Sequence, residues 1–206
     1  MEIAFDTNRP EMIRKHLNHV YYQILAVLPD LMDLGLFFGG GCIRDLWNGD
    51  PIKDYDVYFR ELPTAAQLDK IMMTLRESRT TILGNIEGKL NVVKLNFILS
   101  HHGLPSDTRK DFDFIMNQNT YSPQGENLWI ESTDHIENKV LVGVKDSRSA
   151  GKLLRAYKFI ARGWTIAREE WMALAASEYE LMIHPATNHI SLTDIFKNPM
   201  LEAASS

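Results

Sequence analysis

Apolar residues recur at helical spacing between Glu11 and Leu34, at Ile13, Leu17, Val20, Ile24, Val27, Leu28 and Leu31. This period predicts an amphipathic helix with Gly35 as its stop. Leu36 to Phe38 follows as a short apolar strand running into Gly39-Gly40-Gly41. Cys42 to Trp47 reads as a short helix and Tyr55 to Phe59 as a second strand. Thr64 is placed to cap a helix over Thr64 to Glu77, with Leu68, Ile71, Met72 and Leu75 on one face. Strands are expected at Asn91 to Leu99 and Phe112 to Met116, joined by a polar loop holding Gly103, Pro105 and Ser106. A short helix near Asp134 to Glu137 and a strand over Val140 to Val144 come next. From Ser149 onward the pattern is helical, with a break at Gly163. This order predicts a unit of mixed helices and strands followed by a small helical one.

Composition adds limits. With 206 residues, 45% hydrophobic and 24% charged, the chain has enough apolar material for a core without disulfide staples. Its single cysteine, Cys42, excludes an internal disulfide and fits a reducing cytosol. No apolar run approaches the roughly 20 residues that span a bilayer. Glu2, Asp6 and Arg9 stand where a signal peptide would be apolar, so a cytoplasmic location away from membranes is expected. The net charge of −5 argues against a uniformly nucleic-acid-binding surface and leaves room for one local basic patch. The pairs His16/His19 and His101/His102 lack a third ligand at metal-site spacing and read as structural or solvated.

Chemistry concentrates between Gly39 and Asp56. Consecutive glycines between a strand and a helix let the backbone approach a ligand, and the helix N-terminus suits a phosphate. Asp54 and Asp56 stand at i and i+2, so on a strand their carboxylates share one face. Two converging like charges are unfavourable unless a cation neutralises them, and magnesium does so while bridging to substrate phosphates. Taken alone, the Asp-x-Asp pair reads more readily as a solvated strand end.

The combination Gly40-Gly41-Cys42-Ile43-Arg44-Asp45, Gly49 and Asp54-Tyr55-Asp56 resembles the head domain of class II tRNA nucleotidyltransferases and bacterial poly(A) polymerases. Those proteins belong to the DNA polymerase β superfamily and read G-G-x-V-R-D, a glycine four residues later, then D-x-D. Here Ile43 replaces the valine, and Asp50 stands where arginine is usual. Asp113-Phe114-Ile115-Met116-Asn117 with Tyr121 is similar to the family's D-F-T-I-N…Y segment, with Arg109-Lys110 as the basic pair upstream. Leu153 to Phe159 resembles its I-L-R-A-x-R-F helix, so the likeness runs from about Leu36 to Ile166.

The resemblance implies an α+β fold, with a polymerase-β-like palm over residues 1–146 and a helical neck over 147–206. It implies transfer of an NMP from a nucleoside triphosphate to the 3′-hydroxyl of RNA, a tRNA-like molecule or another acceptor, with two Mg2+ ions and release of pyrophosphate. Asp54 and Asp56 would hold both ions, and Gly40 and Gly41 the β- and γ-phosphates. Arg44 reads equally as a phosphate ligand or as an anchor of its helix through Asp45. The family's third carboxylate falls on the strand that here reads Lys94-Leu95-Asn96-Phe97, and asparagine is a poorer magnesium ligand. Asp113 is expected to replace it, with Asp111 as the other candidate on the same face.

A helix over Arg148 to Trp164 divides into an apolar face (Leu153, Leu154, Tyr157, Ile160, Ala161, Trp164) and a basic one (Arg148, Lys152, Arg155, Lys158, Arg162, with Phe159). A solvated face is the usual meaning of such a stripe, but Lys152 and Arg155 are expected to contact nucleotide or nucleic-acid phosphates. The family's base-reading E-D-x-x-R maps onto Arg148-Ser149-Ala150-Gly151-Lys152, where both acids are missing. The chain ends soon after the neck, which fits a small stand-alone nucleotidyltransferase of viral or toxin-system type better than complete CCA addition. The rival reading is a degenerate palm that binds nucleotide, RNA or a protein partner without catalysis; Asn96 favours it, and Asp54 and Asp56 oppose it.

Overall fold

The structure is a computed structural model and describes residues 8–144 and 151–183. Helix α1 (Arg9–Val27) turns Ile13, Leu17, Val20 and Ile24 inward, and Pro10 sits in its first turn, where a missing N–H costs nothing. The helix stops before Pro29, which cannot donate the next helical hydrogen bond. A 3-10 turn over Pro29–Leu34 replaces the expected last turns and closes on Gly35 at φ 65.

Strand β1 (Phe37–Gly39), helix α2 (Gly41–Asn48) and strand β2 (Tyr55–Phe59) lie within a residue or two of their expected positions. Helix α3 (Ala65–Thr74) is capped by Thr64, whose hydroxyl accepts from the Gln67 N–H while Gln67 reaches back to the Thr64 N–H. It ends three residues earlier than expected. Arg76–Thr80 forms strand β3, antiparallel to β4 (Ile86–Leu90), and β5 (Val93–His102) follows. The expected polar loop contains α4 (Pro105–Lys110).

No strand forms over Phe112 to Met116. Phe114 makes one bridge to Gly143, and Ile115–Asn117 winds into a 3-10 turn. Then come β6 (Thr120–Ser122), β7 (Asn127–Trp129), α5 (Thr133–Glu137) and β8 (Val140–Leu141). The last described elements are α6 (Lys152–Ile160), β9 (Thr165–Ile166) and α7 (Arg168–Ile183).

Seven strands form one mixed sheet in the order β3-β4-β5-β2-β1-β6-β7, in which only β2 and β5 run parallel. Alternation along each strand sorts the two faces. One face turns Phe38, Val57, Phe59, Leu95 and Phe97 into a core shared with Ile13, Leu17 and Ile24 of α1. The other face carries Asp56 and Asn96 beside a small cluster of Phe37, Tyr58, Ile98 and Phe112. A second core joins Phe114, Met116, Ile136 and Leu141 to Ala156, Trp164 and Leu174, so residues on both sides of position 146 build it. The architecture is α+β, a mixed sheet with flanking helices. No helix among the described residues is long and apolar enough to cross a membrane.

Candidate functional site

In strand register, one line of residues crosses the sheet from edge to edge: Arg79, Glu87, Asn96, Asp56, Gly39, Thr120 and Trp129. Partners in such a line share a face, and their side chains interact along it. Arg79 Nη2 donates to Glu87 Oε2 at 2.7 Å, and Asn96 Nδ2 donates to Asp56 Oδ1 at 2.9 Å. On the far side Arg109 Nη1 donates to Thr120 Oγ1 at 3.0 Å, with its guanidinium 4.6 Å from the Trp129 ring. Asp54 precedes β2 and lies 3.4 Å from Lys94 Nζ.

The glycine turn closes directly on this line. Gly40 has φ 74 and donates its N–H to the Asn119 carbonyl at 2.9 Å. A Cβ on Gly40 would stand 3.0 Å from Phe112 and 3.7 Å from Asp56 Oδ2; one on Gly39 would meet Tyr58 at 2.9 Å. The positive φ of Gly40 and the rings of Phe112 and Tyr58 keep this turn to glycine, and the turn lies in contact range of the Asp56 carboxylate. The first turn of α2 opens there, with the free N–H groups of a helix start.

Burial is the largest influence on Asp56 and pushes its carboxyl up to about 6; the Asn96 hydrogen bond opposes this, and the charges of Asp54 and Glu87 add to it. The Asn96 Oδ1 is buried with no hydrogen-bond partner. Asp54 and Asp56 offer the hard carboxylate oxygens that a divalent cation such as magnesium takes, whereas Asn96 turns its amide nitrogen, not its oxygen, to Asp56. Among the described residues no three His, Cys, Asp or Glu side chains group closely enough to hold an ion. Water and substrate oxygens would therefore complete the coordination, as magnesium commonly arranges.

The other expected site residues lie elsewhere. Asp113 is not brought to Asp54 and Asp56. The chain at Asp113 forms no regular strand, and the carboxylate pairs with Arg155 Nε on α6. Asp111 stands 3.9 Å from His101 Nε2, also outside the Asp54/Asp56 pair. Arg44 is only 7% exposed and takes the anchoring role: it donates to Asp45 Oδ1 at 2.8 Å and to Asn117 Oδ1 at 2.6 Å. Its guanidinium also lies 5.0 Å from the Phe159 ring.

The faces of α6 agree with the expectation only in part: Leu153, Ile160 and Trp164 pack into the second core, but Lys152, Leu154 and Tyr157 do not follow it. Lys152 is buried and donates Nζ to the Val144 carbonyl at 2.8 Å, whereas Leu154 and Tyr157 are exposed. Internal acceptors draw the two cations inward, which a count of apolar positions does not register. Burial lowers the Lys152 ammonium below its ordinary value, and the charge of Asp113 opposes that. Arg148 lies outside the described residues.

Glu87, Lys94, Thr120 and Arg109 are further polar residues on the carboxylate face. Glu87 carried a usable signal: Ile86, Gly88 and Leu90 alternate around it, which places it on the polar face of a strand.

Residues 11–139 match a protein-family model described as "Gabija anti-defense 2 family protein". No curated protein is significantly similar to the chain. Among solved structures, the Thermotoga maritima CCA-adding enzyme complexed with tRNA is 18% identical, with a TM-score of 0.56 over 81% of this chain and 42% of that one. The Bacillus stearothermophilus CCA-adding enzyme in complex with CTP is 20% identical, with a TM-score of 0.54 over 83% of this chain and 45% of that one. A CCA-adding enzyme with ATP is 15% identical, with a TM-score of 0.59 over 96% of this chain and 50% of that one. The chain thus spans half or less of the length of these structures, and the likeness carries the fold. With the nucleotidyltransferase palm as its fold and the family match spanning most of its length, the chain belongs to the Gabija anti-defense 2 family.

Proposed function

We propose that the protein is a cytoplasmic, magnesium-dependent nucleotidyltransferase that moves an NMP from a nucleoside triphosphate to the hydroxyl of RNA or another acceptor. This transfer would serve the anti-defense role that the family's description names. One observation carries the reading. Asp56, two residues after Asp54 and on the sheet face opposite the α1 core, abuts a glycine turn that opens a helix. That arrangement sets anionic oxygens next to backbone N–H donors, as nucleotidyl transfer from a triphosphate requires.

In this reading residues 1–146 carry the chemistry and residues 147–206 support them. The Gly40-Gly41 turn and the start of α2 bind the β- and γ-phosphates. Asp54 and Asp56 hold the metal, which when bound neutralises developing charge on the phosphoryl oxygens. The acceptor hydroxyl gives up its proton to solvent as its oxygen bonds to the α-phosphorus, the bond from that phosphorus to the α–β bridging oxygen breaks, and pyrophosphate leaves. Arg44 and Asn117 fix α2 so that its first turn stays aimed at the phosphates. Arg155 and Lys152 position the segment around Asp113 and Val144 rather than touching the nucleotide.

The test is incubation with each α-labelled NTP, magnesium and total RNA, with Asp56→Asn as control. Label transfer by the native chain and none by the variant is expected. The rival reading, a palm that binds without transferring, draws on the amide of Asn96 at the place of a third carboxylate. Magnesium-dependent NTP binding without label transfer or pyrophosphate release would establish that reading instead.

A further inference from the structure

Beside α2 lies a cavity of about 420 Å³ that shares no lining residue with the carboxylate face. Arg44, Lys53, Lys139 and Arg162 line it against two acids, Asp45 and Asp50, in a chain whose net charge is −5. Asp45 is committed to Arg44. Among the described residues Lys53, Lys139 and Arg162 make no side-chain hydrogen bond or ion pair, with Asp50 or with any other acid. Arg162 acts on Asp45 only through its charge, and four cations against two acids leave the concavity net positive, a field that attracts an anion.

The walls are held in place. Phe159 and Trp164 form a floor on which the Arg44 guanidinium stacks at 5.0 and 5.9 Å. Lys139 adopts φ 51, a left-handed conformation that costs a residue with a side chain of order 1 kcal/mol. Its backbone is clamped on both sides, by its own N–H to the Ile136 carbonyl at 3.2 Å and by its carbonyl from the Thr165 N–H at 2.8 Å. The Lys139 ammonium is therefore delivered to the cavity from a fixed point.

Position decides which anion. Lys53 immediately precedes Asp54, and Arg44 stands on the helix whose first turn is the glycine turn. A chain of phosphates lying in the cavity would lead directly to the paired carboxylates. On the nucleotidyltransferase reading, the triphosphate takes the Gly40-Gly41 turn. We propose that this cavity binds the phosphodiester backbone of the acceptor, a single-stranded RNA, and feeds its 3′ end to Asp54 and Asp56. The proposal rests on the nucleotidyltransferase reading for the acceptor's role, but binding can be measured without catalysis.

The experiment uses the full chain and a labelled 12-nucleotide RNA, read by fluorescence anisotropy across a salt series. The variant is Lys53→Gln/Lys139→Gln/Arg162→Gln. Affinity should fall at least tenfold, and the salt slope should lessen by about 2, at roughly 0.7 for each lost single-strand phosphate contact. The charge-preserving Lys53→Arg/Lys139→Arg/Arg162→Lys should restore both. Independently of any variant, RNA should protect Lys53 and Lys139 of the native chain from acylation, while ATP and inorganic phosphate should not.

Unchanged affinity and slope in the neutral variant, protection by ATP or phosphate instead of RNA, or no RNA binding by the native chain would each overturn the proposal. RNA protection without any nucleotide transfer would keep the cavity as an RNA site and sink only the enzymatic reading. Transfer activity combined with unprotected lysines would do the reverse.

Discussion

Asn96 donates to Asp56 Oδ1 at 2.9 Å, while its own Oδ1 is buried with no partner. One amide thus eases the burial of a carboxylate and leaves an acceptor facing no donor. An unsatisfied buried acceptor costs about 1–3 kcal/mol, so this pair is the least self-sufficient part of the sheet.

Removing the Asp56 charge should therefore stabilise the protein while ending catalysis. With its carboxyl raised to about 6, folded Asp56 keeps a proton that the unfolded chain releases near 3.8. Its contribution to stability is complete below about 3.8 and is lost as pH rises through about 6. Asp56→Asn should raise Tm at pH 7.5 by several degrees relative to the native chain and weaken the fall in Tm between pH 4 and 6. A Tm for this variant below the native value at pH 7.5 would contradict the cost assigned to the charge.

Asn96→Asp should behave in the opposite sense. It sets a third carboxylate between Asp56 and Glu87, so without divalent ions the Tm should drop. Magnesium should recover more of it than in the native protein, since a cation binding only the folded state stabilises in proportion to its affinity. Thermal melts with and without magnesium read both effects, and equal magnesium shifts in the two proteins would exclude position 96 from the ion's surroundings.

Asp113→Asn should act on stability rather than on ion binding. The half-buried pair with Arg155 should be worth on the order of 1–3 kcal/mol, less than a fully buried pair because Arg155 is partly exposed. Asp113→Asn and Arg155→Ala should each lower stability, and the double variant should lose less than the sum. Calorimetric manganese affinity should remain within about twofold of the native value. A tenfold loss of affinity would instead return Asp113 to the metal.

Gly40→Ala tests the close approach of the backbone. At φ 74, with Phe112 3.0 Å from the new Cβ, alanine should cost about 1–3 kcal/mol and push the turn away from Asp56. Fluorescent-NTP affinity should fall more than tenfold, whereas Gly49→Ala, at φ 69 with open space around it, should lose stability but keep nucleotide affinity.

The placing of Asp54 and Asp56 beside the glycine turn was legible because it is local. An i, i+2 pair, a glycine turn and a capping threonine all act within a few residues. β3 was not, since Arg76-Glu77-Ser78-Arg79-Thr80 is polar on both faces and α3 has apolar residues up to Leu75. An edge strand of this composition gains its pairing from β4 rather than from its own pattern. The inward turn of Lys152 and Arg155 on α6 escapes the pattern for a related reason. Lys152 and Arg155 look like surface charges until the Val144 carbonyl and the Asp113 carboxylate are brought to them by tertiary folding.

The one parallel pairing in the main sheet has a kinetic consequence. Asp56 and Asn96 lie 40 positions apart, and all of α3, β3 and β4 must be threaded between them before β2 can dock on β5. The β3–β4–β5 meander closes short loops, whereas β2 docking closes a long one and meets its entropic cost before any contact repays it. Refolding should therefore pass through a stage with near-native circular dichroism that cannot yet bind a divalent ion. Until β2 docks, the chain lacks both the Asp56–Asn96 pair and the core that Val57 and Phe59 share with Leu95 and Phe97, so the carboxylate face is among the last parts to form.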